Sequence, residues 1–302
     1  MDRRTLAALI SVQVLFGLFP VAGKFAFQEF GPLAVGTFRT VLAGALLLVA
    51  QRFLARRRVD IGLDGGPVAL LALVGIVFNQ GLFLIGLQWT TVTNATLIIT
   101  TIPVFTYAIA VLSGRETLGP RRATGIALAL AGVLWLVGLS RFETSARSAL
   151  GDVFILFNAL SYAIFLVYSK PYAQKYNPLS LTAWTFVFGA VVFLPLGLWE
   201  GIEMQSANAT RAGWLAVAFI VIGPTVLAYV LNNTALRSVP SSTVGVFIYL
   251  QPIFAASSAA WLLDERLTWK LAPAAVAVFA GVWLVVRRRV TVVEGRGGGV
   301  GE

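Results

Sequence analysis

Amides and tyrosines are the side chains with which this chain could do chemistry, because none of its 302 residues is histidine or cysteine. Asn79, Gln80 and Phe83 share one helical face, and Asn158 and Tyr162 stand one turn apart with Ser161 beside them. Further along, Tyr229 precedes Asn232 and Asn233, and Tyr249 and Gln251 flank Pro252, whose missing N–H leaves one carbonyl without its helical partner. Thr93, Thr96 and Thr100 form another stripe. Amides accept from an ammonium and donate to a carboxylate, while Tyr and Phe offer apolar faces. A zwitterion needs that mixture. The competing reading makes the same Asn, Gln, Ser and Thr side chains hydrogen-bond partners between helices, and for Thr that reading comes first.

Covalent chemistry has nothing to run on. Without His or Cys there is no H-E-x-x-H metal site, no Ser-His dyad and no thiol nucleophile. No pair of Asp falls inside an apolar run, and no G-x-x-x-x-G-K-[ST] occurs to bind ATP. The chain therefore reads as a non-enzyme with no metal and no cofactor. All thirteen acids are expected in loops, tails or at helix ends, so no mid-membrane carboxylate relay exists for proton coupling. Sodium could still bind through carbonyl, Asn or Thr oxygens.

What must position the polar side chains is a set of ten apolar runs. With 58% apolar and 12% charged residues and a mean hydropathy of +0.84, the chain cannot cover a water-soluble core of its size. Crossing a bilayer takes ~20 helical residues. Such runs lie at Leu6–Phe25, Leu33–Ala50, Val68–Gln88, Thr93–Ser113, Ala123–Leu139, Val153–Ser169, Leu179–Trp199, Gly213–Asn233, Ser242–Leu263 and Leu271–Val286. Period-two alternation is absent, which excludes an outer-membrane barrel and leaves helices. The first run follows Arg3 and Arg4 but reaches Phe25 without a small-residue cleavage site, so it reads as a retained helix.

The second half repeats the first. Pro103 and Pro252, Glu116 and Glu265, Leu118 and Leu267, Gly132 and Gly281, and Val133 and Val282 all stand 149 residues apart. Lys24 and Lys170, and Pro32 and Pro178, stand 146 apart. The predicted fold is an all-α membrane protein with ten transmembrane helices in two inverted five-helix repeats, 1–140 and 151–289, followed by a disordered cytoplasmic tail at 290–302. Five helices per repeat is an odd number, so the second copy enters the membrane in the opposite sense. Inverted repeats build transporters with the cargo site near the midplane between the halves.

Charge gives the sidedness. Sixteen Lys and Arg fall in the termini and one set of alternate connections against five in the other, with Lys24 and Arg39 inside spans, so both termini are expected in the cytoplasm. The net charge of +10 follows from that bias and does not call for nucleic acid. Lys24 and Arg39 fall near the outer ends of their helices. Each either snorkels to the interface or draws a substrate carboxylate or fixes an outer gate. Glu116 and Glu265 sit at helix boundaries with Arg121 and Lys270 close behind, an inexpensive place for an ion pair. Trp89, Trp184 and Trp199 read as interface anchors. Pro103 and Pro252 are the hinge candidates among five prolines inside predicted spans.

These residues resemble the EamA type of drug/metabolite transporter. Phe16-Gly17, Lys24, Gly31-Pro32-Leu33 and Arg39 match its opening pattern; Pro103, Glu116-x-Leu118 and Gly132-Val133 follow, and Pro252, Glu265-x-Leu267 and Gly281-Val282 repeat them. The position equivalent to Arg39 is Thr185, and the sixth helix carries Ser161-Tyr162-Ala163 in place of an aromatic-Gly pair, so a role for Arg39 is not doubled. The resemblance implies a bacterial inner-membrane exporter of amino acids and related metabolites, with a cavity lined mainly by helices one, three, four, six, eight and nine. The expected activity is facilitative, uncoupled export of small neutral metabolites, aromatic or large apolar amino acids preferred, by alternating access. Expected cargo contacts are Asn79, Gln80, Phe83, Thr96, Asn158, Tyr162, Tyr229, Asn232, Tyr249 and Gln251, with Lys24, Arg39, Pro103 and Pro252 as gate or hinge. A multidrug or nucleotide-sugar carrier and a membrane scaffold are the alternatives. This chain lacks the buried acid a multidrug carrier needs and the several midplane cations that would meet the phosphates of a nucleotide sugar. Membrane lipid and a small-molecule cargo are the partners, and a monomer is compatible with the sequence.

Overall fold

A backbone in hydrocarbon must bond to itself, and long apolar runs do this as helices. The computed structural model describes residues 1–55, 61–90, 92–137, 145–262 and 271–286, and no strand occurs among them. In chain order the helices are α1 (Arg3–Ala26), α2 (Pro32–Ala50), α3 (Gly65–Trp89), α4 (Val92–Ile99), α5 (Ile102–Leu112), α6 (Pro120–Val137), α7 (Ala146–Lys175), α8 (Pro178–Trp199), α9 (Ile202–Asn208), α10 (Arg211–Leu236), α11 (Ser241–Val246), α12 (Gln251–Leu262) and α13 (Leu271–Val286). Those containing α2, α3, α7, α8 and α10 are long and apolar enough to cross a membrane, and shorter apolar helices cover Leu97–Leu112, Ser241–Ala255 and Ala272–Val286. Glu265, Arg266, Lys270 and the tail from 287 onward lie outside the described residues.

Polar caps set several starts. Asp2 accepts from the Thr5 N–H, Ser145 from Ser148, Asn177 from Leu179 and Thr210 from Gly213, while Pro32 and Pro178 open α2 and α8. The Ser145 cap lengthens the sixth run: α7 begins at Ala146 instead of Val153. Asp152, expected outside a helix, consequently lies within α7. Its carboxylate escapes lipid by accepting from Thr90 Oγ1 at 2.5 Å and Asn94 Nδ2 at 3.0 Å.

The fourth and ninth runs are broken where continuous helices were expected. At Thr100 and Thr101 the N–H groups fall back to Leu97 and Ile98, three residues earlier, and a 3₁₀ turn at Phe247–Leu250 interrupts the ninth. Pro103 and Pro252 each stand in the first turn after the break, where a missing N–H costs no helical bond. The repeated prolines therefore begin helices and do not bend continuous ones. Each of α3 and α10 carries a π-helical stretch, Leu73–Phe78 and Val221–Leu227. Such widened turns concentrate at functional sites.

The two copies pack reciprocally. A Cβ on Gly125 would stand 2.8 Å from the Gly281 carbonyl oxygen, and one on Gly132 would stand 3.0 Å from that of Ala274. Shifting by 149 exchanges these two contacts, and rising numbers in α6 meet falling numbers in α13. A two-fold axis across antiparallel helices produces that pattern. Between α2 and α8 the crossing is also antiparallel: Thr37 Oγ1 donates to the Phe193 carbonyl at 2.7 Å, and Gly44 meets the backbone of Phe186 and Val187.

Two turns follow the same symmetry. After α1, the Glu29 carboxylate accepts from the Thr210 N–H at 2.5 Å and from the Thr210 hydroxyl, at the start of α10. At the positions 146 residues away, Lys175 at the end of α7 donates to Asp64 at 2.5 Å, at the start of α3, and the Tyr176 hydroxyl adds 2.6 Å. Asp64 is thereby held below the usual carboxylate range, through Lys175 first and Tyr176 second. Because α2 and α8 are antiparallel, the turns that lead into them lie at opposite ends of the bundle.

The α6–α13 contact leaves no room for a side chain. Gly281→Ala would press its Cβ to 2.5 Å from the Gly125 carbonyl oxygen, a backbone atom that cannot rotate away. Overpacking of this kind costs ~1–3 kcal/mol. Thermal unfolding in detergent should report the loss for Gly281→Ala and none for Gly119→Ala, whose Cβ meets nothing within 4 Å.

Candidate functional site

A cavity of about 410 Å³ opens where the broken and widened helices meet. That volume suits a small organic molecule. Residues of α1, α2, α3, α7, α10 and α12 line it, joined by Ala95, Ile99, Thr100 and Ile102 around the α4–α5 break and by Ile248 in the 3₁₀ turn. The wall is mainly apolar, and Phe16, Phe19, Phe27, Phe83, Tyr162 and Tyr229 contribute aromatic rings to it. Phe19 and Phe83 stand 6.1 Å apart, Phe16 meets Tyr229 edge-on at 6.3 Å, and Tyr162 stacks on Phe165 at 6.1 Å. Tyr229 is fixed from behind by Phe186 at 5.0 Å. Rings held this way offer apolar contact without much loss of rotamer freedom on binding.

Of the residues nominated from the sequence, Asn79, Gln80, Phe83, Asn158, Tyr162, Tyr229, Gln251, Pro252 and Arg39 all line this cavity. Asn79 and Asn158 are also a clamp between α3 and α7. Asn158 Nδ2 donates to the Asn79 carbonyl at 2.6 Å, and Asn79 Nδ2 donates to the Asn158 carbonyl at 3.3 Å. Gln251 pairs with Gln13 of α1 at 2.8 Å. Gln80 is 2% exposed, and neither its Nε2 nor its Oε1 has a hydrogen-bond partner. The Tyr229 hydroxyl is near this amide but closes no regular hydrogen bond with it.

Two nominated residues point elsewhere. Asn232 and Tyr249 are buried in packing and do not belong to the lining. Pro103 packs near Gly245 and is not in the lining, although the adjoining Ile102 is. Among the polar neighbours, Ser161 donates to the Val74 carbonyl at 2.5 Å and Asn233 to Thr182 at 2.9 Å, so both join helices. The side chains of Lys24, Thr93 and Thr96 lie outside the described residues. Lys170, the repeat counterpart of Lys24, donates to the carbonyls of Leu236 and Val239 and so closes the end of α10.

Arg39 corrects the expectation of a cation snorkelling to an interface. It is 4% exposed, with Nε donating to Thr225 Oγ1 at 3.0 Å and the guanidinium 4.9 Å above the Phe19 ring. Glu116 pairs with Arg122 at 2.9 Å in place of Arg121, and its other oxygen accepts from the Ser242 N–H at 3.0 Å in the first turn of α11. A carboxylate there meets the positive end of the helix dipole. Sequence reasoning missed Gln13, Phe19 and Thr225. Phe19 had a signal, since Phe16, Gly23 and Phe27 continue its stripe along α1; Thr225 had none.

The lining draws on both halves of the chain, and a profile of the EamA-like transporter family matches each half, over residues 4–138 and 149–287. The chain belongs to this family. Relatives include a protein of Archaeoglobus fulgidus named an uncharacterized transporter, 28% identical across 89% of this chain and 94% of its own length. Another is the uncharacterized transporter YyaM of Bacillus subtilis, 25% identical across 81% of each chain. A solved crystal structure shares the fold, with a TM-score of 0.77 at 16% identity over 95% of this chain and 97% of the other. As an EamA-like transporter the chain is a multi-pass membrane protein, and its long apolar helices agree with that.

The amides of this transporter separate by stability. Asn158→Ala removes an interhelical hydrogen bond, worth ~0.6 and at most ~1.7 kcal/mol in a membrane protein. Gln80→Ala loses none and removes a buried unsatisfied amide, so it should leave the unfolding temperature in detergent unchanged or raised. Equal losses for both variants would show that Gln80 is bonded.

Proposed function

We propose that this EamA-like transporter exports small neutral metabolites, aromatic or large apolar amino acids among them, by uncoupled alternating access. In this reading it crosses a bacterial inner membrane ten times as two inverted five-helix repeats, with both termini in the cytoplasm. The observation that carries the proposal is the cavity at the junction of the two matched halves, lined by amides and aromatic rings drawn from both. The antiparallel, reciprocal crossings of α6 with α13 and α2 with α8 support inversion. Uncoupled movement is favoured because the described lining contains no carboxylate to carry a proton.

The turns at Glu29 and Lys175 are the proposed gates. With the termini inside, the Glu29–Thr210 contact closes the outer end and Lys175–Asp64 the inner end. Each ties a turn of one repeat to a helix start of the other, so rocking the repeats must open the two contacts in alternation.

Purified protein in liposomes should equilibrate labelled phenylalanine or leucine with neither ATP nor an ion gradient. Flux that requires a proton gradient would overturn the uncoupled reading. The chain has no cysteine, so introduced pairs can be bridged without background. Glu29→Cys with Thr210→Cys, and separately Asp64→Cys with Lys175→Cys, should each stop flux when joined by a short bifunctional thiol reagent and regain it on reduction. Undiminished flux with either bridge closed would rule that contact out as a gate.

A further inference from the structure

Arg39 is the one described cation in the cavity lining, and its charge has no counter-ion there. Among the described residues the ion pairs are Arg122 with Glu116 and Lys175 with Asp64, neither of them in the lining. A guanidinium stays protonated in proteins and is expensive to bury without an anion. The Thr225 hydroxyl and the Phe19 ring face supply only partial charges. With Nε committed to Thr225, the two terminal amino groups remain, unpaired, as parallel donors at the cavity wall. That fork matches a carboxylate.

The other polar groups sort by what they can still do. A backbone carbonyl accepts only from Nδ2, so the mutual clamp fixes the orientation of both Asn79 and Asn158. Each commits one of its two N–H donors to the clamp and keeps Oδ1 as an acceptor. Such oxygens receive an ammonium, a hydroxyl or water alike. Gln80 retains an uncommitted donor and acceptor, both buried. The donor side of the cavity therefore bears a full charge, and the acceptor side bears none.

We propose that Arg39 recognises the carboxylate of the cargo, and that the cavity takes apolar monocarboxylates for which an amine is dispensable. Amino acids are then one case of a wider class. Of the roles weighed for Arg39 from sequence, this one selects the substrate carboxylate over snorkelling and over an outer gate, an inference that rests on the transport reading above. Thr225 is a positioning residue, holding Nε so that the fork faces the cavity.

Three probes on one scaffold test this on the full chain in detergent: phenylalanine, 3-phenylpropanoate and phenethylamine, with affinity read by calorimetry. The two carboxylates should bind the native protein within ~10-fold of each other, and phenethylamine at least ~30-fold more weakly, as loss of a buried charge-assisted pair implies. Arg39→Gln should remove that preference, and Arg39→Lys should restore some of it. Phenethylamine binding as tightly as phenylalanine would overturn the proposal. So would unchanged carboxylate affinity in Arg39→Gln. Should that variant fail to fold, the native probe series decides alone. Carboxylate binding without any flux in liposomes would instead defeat the transport reading and leave Arg39 its role. Full amino-acid flux through Arg39→Gln would do the reverse.

Discussion

Hydrocarbon offers no hydrogen bonds, so every polar group carried into this bundle must find a partner in the protein or a polar cavity. That requirement sorts the side chains. Thr37, Ser161, Asn233 and the Asn79–Asn158 pair are spent on backbone or side-chain partners across helix contacts. Gln80 keeps a buried amide without a partner, Arg39 commits only its Nε, and both residues belong to the cavity lining. Asn232 Nδ2 and the Tyr249 hydroxyl are also buried without a partner, but outside the lining.

The same demand governs helix ends. Acids that would be costly in lipid are placed on N-termini, where exposed N–H groups need acceptors: Glu200 takes the Ala34 N–H at 2.7 Å, Glu29 that of Thr210, and Glu116 that of Ser242. The acids then tie neighbouring helices together and leave the described lining without a carboxylate. Symmetry is kept in position and relaxed in chemistry. Glu29 and Lys175 occupy equivalent turns with opposite charge, and their partners, Thr210 and Asp64, change to suit.

Several departures from regular helix border the cavity. The α4–α5 break, the 3₁₀ turn at Phe247–Leu250 and the π-helical stretches of α3 and α10 place Thr100, Ile248, Asn79 and Tyr229 on its wall. Broken helices are tolerated in a membrane only where protein or a cavity satisfies the freed backbone. Gly17 lets α1 approach the backbone at Phe254 and Ala255, which brings Phe16 and Phe19 against this irregular region.

How much of this was legible beforehand follows from what lipid does to a sequence. Run length and the 146- and 149-residue offsets located the helical tracks and the duplication, because each crossing needs a fixed length and a repeated fold keeps its glycines and prolines. The choice of α1, α3, α7, α10 and the broken tracks as cavity walls also followed from the resemblance. The facing of individual side chains did not. In water an amphipathic stripe shows which side of a helix is buried; in a membrane both sides are apolar, so rotation leaves little trace. Asn232 and Tyr249 could not be told from Tyr229 and Gln251 on that basis, nor a cation at the rim from Arg39 on the cavity wall. Close packing across the two-fold decided those orientations, because glycine contacts and carbonyl-directed hydrogen bonds admit one rotation of each helix.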